Sequence, residues 1–253
     1  LKDLVKSRDE QRKKRQNTVV TAALVGYTNA GKSSLMNRMC KVDILEENKL
    51  FATLDSTYRT LNPDTKPPMV LIDTVGFISN LPNILIDGFK TILESAMEAD
   101  LLVIVCDISD PHYKKQLEVT HEVLKELKVD NKDTLIVFNK KDLLDDPLQE
   151  KIIKRSYPNS FVVSSFEPND MSSLREHIVQ FFLDKQGHYD LFIPYDGGMA
   201  HSLVVSKTNV INSTNHETGI FYRVRVPDFI FHTLGVQKYI LAPDDPMREE
   251  LEL

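Results

Sequence analysis

The chain has 253 residues, of which 42% are hydrophobic and 27% are charged, and it carries a net charge of −6. This length and composition exclude a disordered chain and predict one main domain with an appended module. The longest apolar run, residues 101–106, falls far short of the roughly 20 residues that a membrane helix needs, so we expect no membrane span.

Residues 1–17 form a basic leader with seven Lys or Arg and three Asp or Glu. It is typical either of the solvated end of a helical linker or of an arm that faces RNA. The chain opens on this polar stretch with no apolar segment behind it. We therefore expect no signal peptide and a fragment of a longer protein.

From residue 18 to residue 185, short β-branched runs alternate with helical stretches, which predicts an α/β domain with a mostly parallel sheet flanked by helices. The expected strands are residues 19–25, 69–73, 101–107, 134–139 and 161–164. Apolar residues recur at helical spacing over residues 85–96, 117–127 and 174–182. Residues 58–61, a turn at residues 62–64 and the strand at residues 69–73 predict a hairpin.

Residues 188–243 have a different character and predict a small α+β module of the split β-α-β kind. The expected strands are residues 191–194, 210–212, 219–226 and 239–241, and the expected helices are residues 199–206 and 229–234. Residues 244–253 follow as an acidic tail, which we expect to be frayed.

The two cysteines, Cys40 and Cys106, both lie among apolar residues. This setting favours two buried thiols over a disulfide or a metal site, and with it a reducing compartment. We therefore expect a cytoplasmic protein, and we expect it to be a monomer.

The first strand is followed by a glycine-rich loop that opens a helix, which is the setting of a phosphate-binding loop. Gly26 and Gly31 let backbone N–H groups turn toward phosphate oxygens, Lys32 can reach the terminal phosphates, and the Ser33 hydroxyl can bind Mg²⁺. The candidate binding residues of this loop are Gly26, Tyr27, Thr28, Asn29, Ala30, Gly31, Lys32, Ser33 and Ser34.

A second candidate segment, Asp73-Thr74-Val75-Gly76, follows a buried strand. The Asp73 carboxylate can hold Mg²⁺ through water, and the Gly76 N–H can bond to a γ-phosphate. We therefore expect this segment to detect the terminal phosphate.

The third candidate segment specifies the base. The Asp142 carboxylate can accept hydrogen bonds from the ring N–H and the exocyclic amine of guanine, whereas adenine offers no matching pair of donors. Asn139 would tie this loop to the phosphate loop, and the Lys140 stem would cover a face of the base. After the next strand, Ser164, Ser165 and Phe166 are placed to cap the guanine edge.

These motifs, in this order, resemble those of the translation-factor-related P-loop GTPases. The phosphate loop together with Leu50-Phe-Ala-Thr-Leu-Asp55 and Asp73-Thr-Val-Gly-Phe-Ile78 resembles the HflX family of ribosome-associated GTPases. The resemblance is strong over residues 18–184 and weaker after residue 190. It implies GTP and GDP as ligands, Mg²⁺ as cofactor and the large ribosomal subunit as partner, in ribosome splitting, rescue or quality control. With such a partner, an RNA-facing basic leader at residues 1–17 would contact ribosomal RNA.

By the same resemblance, residues 51–55 form the first switch. Its candidate nucleotide-binding residues are Phe51, Ala52, Thr53, Leu54 and Asp55. Thr53 joins Ser33 and Asp73 as a metal ligand in the GTP state, and Thr57 is a competing candidate. Lys32, Thr53 and Gly76 are the expected catalytic groups.

Phe77 stands where many GTPases have a glutamine that orients the attacking water. A phenylalanine has neither donor nor acceptor for water, so we expect slow intrinsic hydrolysis and stimulation by a partner. Related potassium-stimulated GTPases also carry an asparagine at the position of Asn29. The resemblance therefore implies that the Asn29 side-chain carbonyl helps to coordinate K⁺ against the phosphates. The alternative is that Asn29 is an ordinary turn residue. A binding switch with incidental hydrolysis is the second functional hypothesis.

Overall fold

The computed structural model describes residues 19–40, 42–43, 57–62, 64–74, 76 and 97–250. These residues fall into two compact units. The first comprises the described residues within 20–62 and 69–178, and the second comprises residues 64–68 and 179–250 with residue 19. The basic leader, the first switch at residues 51–55, Val75, Phe77 and the expected helix at residues 85–96 lie outside the described residues. No helix in the described part of the chain is both long enough and apolar enough to cross a bilayer.

The first unit contains a seven-stranded sheet. Its strands are β1 (Val20–Val25), β2 (Val42–Asp43), β3 (Thr57–Asn62), β4 (Met69–Asp73), β5 (Leu101–Asp107), β6 (Thr134–Asn139) and β7 (Ser160–Val162). They are ordered β2-β3-β4-β1-β5-β6-β7. The neighbours from β4 to β7 pair in parallel, and β3 forms the predicted antiparallel hairpin with β4.

The central strands are apolar along their whole length because helices cover both faces of a parallel sheet. In β5, the six residues from Leu101 to Cys106 are all buried. The helices of this unit are α1 (Lys32–Met39), α2 (Tyr113–Glu126) and α3 (Pro147–Ser156). The next helix, α4 (Pro168–Asp184), belongs to this unit up to residue 178. The α/β domain expected from the alternating pattern is therefore confirmed.

The last strand of this sheet is shorter than the sequence predicted. It ends at Val162, whereas the apolar pattern indicated residues 161–164. Ser164 leaves the strand because its backbone N–H donates to the Asp170 carboxylate rather than to a neighbouring strand. The loop that follows β7 therefore begins with the residues expected to cap a guanine.

The second unit is a small α+β module. Its antiparallel sheet has the order β8-β10-β9, with β8 at Gly187–Pro194, β9 at Asn209–Asn215 and β10 at Gly219–Val226. Helices α5 (Gly198–Lys207) and α6 (Asp228–Thr233) supply Val204, Ile230 and Phe231 to its core. Residues 64–68 belong to this unit, where the Lys66 N–H donates to Asn209 Oδ1 over 2.8 Å.

Two expectations for the end of the chain were wrong. Residues 239–241 do not form a strand; a 3₁₀ turn, Gln237–Tyr239, precedes a single antiparallel bridge between Ile240 and Leu191. The described part of the acidic tail is not frayed either. It contains a short helix, α7 (Met247–Glu250), and Arg248 Nη1 pairs with Asp190 Oδ2 at 3.0 Å.

Both cysteines are free and buried, as predicted. Burial, with a smaller contribution from the nearby carboxylates of Asp107 and Asp110, raises the pKa of Cys106 to about 12. This thiol therefore stays protonated and unreactive at neutral pH, as expected of a cysteine that serves only to fill the core.

Candidate functional site

The candidate site lies at the carboxyl ends of β1, β4, β6 and β7, because ligands of open α/β sheets bind beyond this edge. The loop after β1 carries the phosphate-loop residues, and Asp73 ends β4. Asn139 ends β6, and Ser164 to Phe166 follow β7. The described residues of all three predicted segments therefore share one edge of the sheet.

The phosphate loop has the backbone that its glycines predict. Gly31 precedes α1 and has φ +94°, a backbone conformation that residues with a Cβ rarely adopt. A Cβ on Gly31 would also lie 2.2 Å from Asn139 Nδ2. Asn29 has φ +63°, which asparagine tolerates better than most residues. The loop can therefore direct backbone N–H groups into the site.

Lys32 is buried and folded back over this loop. Its Nζ donates to the Gly26 carbonyl at 3.0 Å and to the Tyr27 carbonyl at 2.7 Å, and the residue is 6% exposed. Burial lowers the pKa of Lys32 to about 8, and the Asp73 carboxylate partly opposes this shift. An anion placed beside the ammonium group would favour its charged form.

Ser33 and Asp73 meet as the sequence predicted for two metal ligands. The Ser33 hydroxyl donates to Asp73 Oδ2 over 2.5 Å. Asp73 Oδ1 is buried and has no hydrogen-bond partner among the described residues. A buried carboxylate oxygen without a partner is costly, and Mg²⁺ prefers carboxylate and hydroxyl oxygens. The pair therefore fits Mg²⁺ on the chemistry of its donors.

Gly76 lies against the phosphate loop. A Cβ at this position would come within 2.6 Å of the Thr28 backbone nitrogen and 2.7 Å of Lys32 Nζ. The absence of a side chain lets the two segments approach. Thr74, by contrast, directs its hydroxyl away, to the Leu24 carbonyl at 2.6 Å, and so ties the start of this segment to β1.

Asn139 joins the base-side loops to the phosphate loop, as the sequence predicted. Its Nδ2 donates to the Ala30 carbonyl at 3.0 Å, and its Oδ1 accepts from the Ser165 N–H at 3.2 Å. The side chain is 1% exposed. One buried amide therefore fixes the spacing of three loops.

Ser164 and Asp142 are also brought together, since the Ser164 hydroxyl donates to Asp142 Oδ1. Phe166 is 64% exposed, and the Arg38 guanidinium lies over its ring, 4.7 Å from the centroid. Arg38 was not predicted from the sequence, because no motif links the end of α1 to the loop after β7.

Two carboxylates beside the base-side loop were also missed. Lys140 has φ +67°, and its Nζ pairs with Asp107 Oδ2 at 2.6 Å. Lys141 Nζ pairs with Asp170 at 2.7 Å. A polar residue at the end of an otherwise apolar strand could have indicated Asp107. Asp170 gives no comparable signal beyond its place in the first turn of a helix.

Known proteins resemble this chain in both sequence and structure. The family described as "50S ribosome-binding GTPase" matches residues 21–140. GTPase HflX of Gluconacetobacter diazotrophicus is 40% identical over 88% of this chain and 49% of its own length. GTPase HflX of Lacrimispora saccharolytica is 35% identical over 93% of this chain and 55% of its own length. The chain spans about half the length of these curated relatives.

A solved structure of SsGBP in complex with GDP superposes with a TM-score of 0.51 at 26% identity. The superposition covers 71% of this chain and 57% of that one. A variant of SsGBP, G235S, gives a TM-score of 0.50 at 27% identity over 67% of this chain and 57% of its own. These matches confirm the P-loop GTPase fold expected from the motifs.

Proposed function

Because the chain belongs to the HflX family of GTPases, we propose that it binds GTP with Mg²⁺ and hydrolyses it slowly without a partner. The observation that carries this proposal is Asp73 Oδ1, which has no partner within the described part of the chain, together with the Ser33 hydroxyl on Oδ2 and the buried Lys32. Asp73 and Ser33 are the groups that would hold Mg²⁺, with Thr53 as the further ligand that the family resemblance implies.

Lys32 supplies positive charge where the reaction develops negative charge. Its ammonium group would exchange the Gly26 and Tyr27 carbonyls for the β- and γ-phosphate oxygens. Gly76 lies next to Lys32 and Thr28, which supports its backbone N–H as a donor to a γ-phosphate oxygen. Bound Mg²⁺ would supply further charge stabilisation on the phosphates. These groups stabilise the transferring phosphoryl group while water attacks in line.

The base end of the site favours guanine. Asp142 presents a carboxylate that the Ser164 hydroxyl orients, and Asn139 holds the Ser165 N–H beside it. A carboxylate accepts from the ring N–H and the amine of guanine, but adenine would leave it unpaired. This chemistry supports GTP over ATP as the substrate.

We also propose that the GTP form docks on the large ribosomal subunit. The support is the family's description as 50S ribosome-binding and the two HflX relatives. Phe77 cannot orient water, so the partner would supply what completes the reaction. A binding switch with incidental hydrolysis is the competing function.

The test is GTP turnover by this chain with and without purified large ribosomal subunits, in K⁺ buffer, with Lys32→Ala as the inactive control. Strong stimulation of the parent chain alone supports a partner-stimulated GTPase. Tight GTP binding with no stimulation would instead favour the binding switch, or docking through regions outside this chain.

Potassium is a further proposed cofactor, through the Asn29 side chain. Asn29 is exposed in the phosphate loop. Turnover in K⁺ should exceed turnover in Na⁺ at equal ionic strength, and Asn29→Ala should remove the difference. Equal rates in the two salts would leave Asn29 as a turn residue.

A further inference from the structure

Asp170 bridges the two loops that form the base end of the site. It lies in the first turn of α4, after the loop that follows β7, and its side chain is 18% exposed. Its Oδ2 accepts from the Ser164 N–H at 2.8 Å, and its Oδ1 accepts from Lys141 Nζ at 2.8 Å. One carboxylate therefore holds the backbone of one loop and the side chain of the other.

The bond from the Ser164 N–H to Asp170 holds the backbone from which the Ser164 side chain extends. With the amide fixed by Asp170, the hydroxyl points to Asp142 Oδ1 and donates to it. Hydrogen bonds to a carboxylate are shorter and stronger than those between neutral groups. Ser164 therefore links the two carboxylates, through its backbone N–H to Asp170 and through its hydroxyl to Asp142.

The second bond of Asp170, to Lys141, holds the residue that precedes Asp142. Lys141 immediately precedes Asp142 at the start of the 3₁₀ turn Lys141–Leu143. Its backbone N–H donates to the Val163 carbonyl at 3.1 Å, and its side chain, 27% exposed, reaches Asp170. The residue before Asp142 is therefore held at both its main chain and its side chain.

We propose that Asp170, with Lys141, is a positioning residue for guanine recognition, which it secures by fixing the orientation of the Asp142 carboxylate. This inference rests on the proposed binding of guanine nucleotides. Asp170 does not touch the phosphate loop in the contacts described above, so its effect falls on the base and not on the phosphates.

Discrimination between guanine and hypoxanthine separates this role from a merely structural one. Inosine diphosphate lacks the exocyclic amine, so it retains the ring N–H contact to Asp142 and loses the second contact. A carboxylate in the wrong orientation weakens binding of GDP more than that of IDP. A general loss of protein stability would weaken the binding of GDP and IDP by the same factor.

The experiment measures Kd for GDP and IDP by calorimetry on the full 253-residue chain and on Asp170→Ala and Asp170→Asn. Glu176→Ala is the matched control, an exposed carboxylate on the same helix. Loss of the charged contacts should weaken GDP binding by about tenfold in Asp170→Ala. The ratio of the IDP Kd to the GDP Kd should fall toward one.

Asp170→Asn keeps an oxygen acceptor for the Ser164 N–H, so the ratio should fall in the same direction by less. This variant decides the question if Asp170→Ala does not fold, as judged by its thermal unfolding. An unchanged ratio in the folded variants, or a parent chain that binds GDP and IDP equally, would overturn the inference. A parent chain that binds neither nucleotide would instead overturn the proposed function.

Discussion

The phosphate end and the base end of the proposed site differ in what their polar groups bind. At the phosphate end, Lys32 donates to carbonyls of its own loop, and Asp73 keeps one buried oxygen without a partner among the described residues. At the base end, Asn139 and Asp170 each join two loops through paired hydrogen bonds. The first arrangement must rearrange when a ligand binds, and the second is already formed.

Because of this difference, we expect the two ends of the site to contribute differently to turnover and to the stability of the fold. Groups held ready for an anion or a metal contribute little to the folded state, and some of them destabilise it. Groups that join loops stabilise both the fold and the site. Substitutions at the phosphate end should therefore reduce turnover more than stability, whereas those at the base end should reduce both.

Asp73→Ala should have the largest effect on turnover. If Asp73 holds Mg²⁺ as proposed, its loss removes several kcal/mol of charge stabilisation, so GTP turnover in Mg²⁺ should fall by about a hundredfold or more. The free energy of unfolding without nucleotide should fall by much less, since Oδ1 has no partner among the described residues and the variant loses only the Oδ2 bond from Ser33 and the charge near Lys32. Turnover assays measure the first effect, and urea unfolding measures the second. A large drop in the stability of Asp73→Ala would contradict the expected difference between the phosphate end and the base end.

Asn139→Ala should have the largest effect on stability. It leaves the Ala30 carbonyl and the Ser165 N–H without their side-chain partner in a buried site, at a cost of about 4 kcal/mol for the two groups. Urea unfolding without nucleotide measures this loss. Asn131→Ala, on an exposed turn, is the control. A loss as small as that of the control would mean that the loops keep their spacing without Asn139.

Lys32 should make the stability of the nucleotide-free chain rise with pH. The folded state releases the Lys32 proton near pH 8, but the unfolded chain holds it up to about its ordinary value of 10.5. Between these values the unfolded state binds more protons, so stability rises with pH, by on the order of 3 kcal/mol for this group. Below pH 8 the folded state carries the buried Lys32 ammonium charge, which lowers the free energy of unfolding by its full amount.

Other groups titrate in the same range, so the measurement is the difference in unfolding free energy between the parent chain and Lys32→Met. At pH 7 the variant should be the more stable, and its advantage should disappear as the pH approaches 10. A difference that does not vary with pH would show that Lys32 keeps its ordinary pKa.

The contact between Arg38 and Phe166 should have the smallest effect. Cation–π pairs at exposed sites contribute about 0.5–1 kcal/mol, and Phe166 is 64% exposed. A double-mutant cycle of Arg38→Gln and Phe166→Leu, read by thermal unfolding, should give a coupling of this size. A coupling near zero would mean that the ring and the guanidinium do not interact in solution.

Most of the first unit could be predicted because its signals are local. The apolar runs of β4, β5 and β6 gave their bounds, and the turn before Met69 gave the hairpin. The second unit was predicted less well, since the segment at residues 239–241 has the composition of a strand but only one bridge to Leu191. Short strands depend on their neighbours more than on their own residues.

Local sequence patterns were enough to predict the phosphate loop, the pairing of Ser33 with Asp73 and the link from Asn139 to the phosphate loop. Their spacing within each motif, and the edge of the sheet that the motifs share, follow from local patterns. Only the tertiary structure decided the pairs of Lys140 with Asp107, Lys141 with Asp170 and Arg38 with Phe166. Each pair joins segments that are distant in the chain and adjacent only through the order of the strands, and one sequence carries no periodic signal for such contacts.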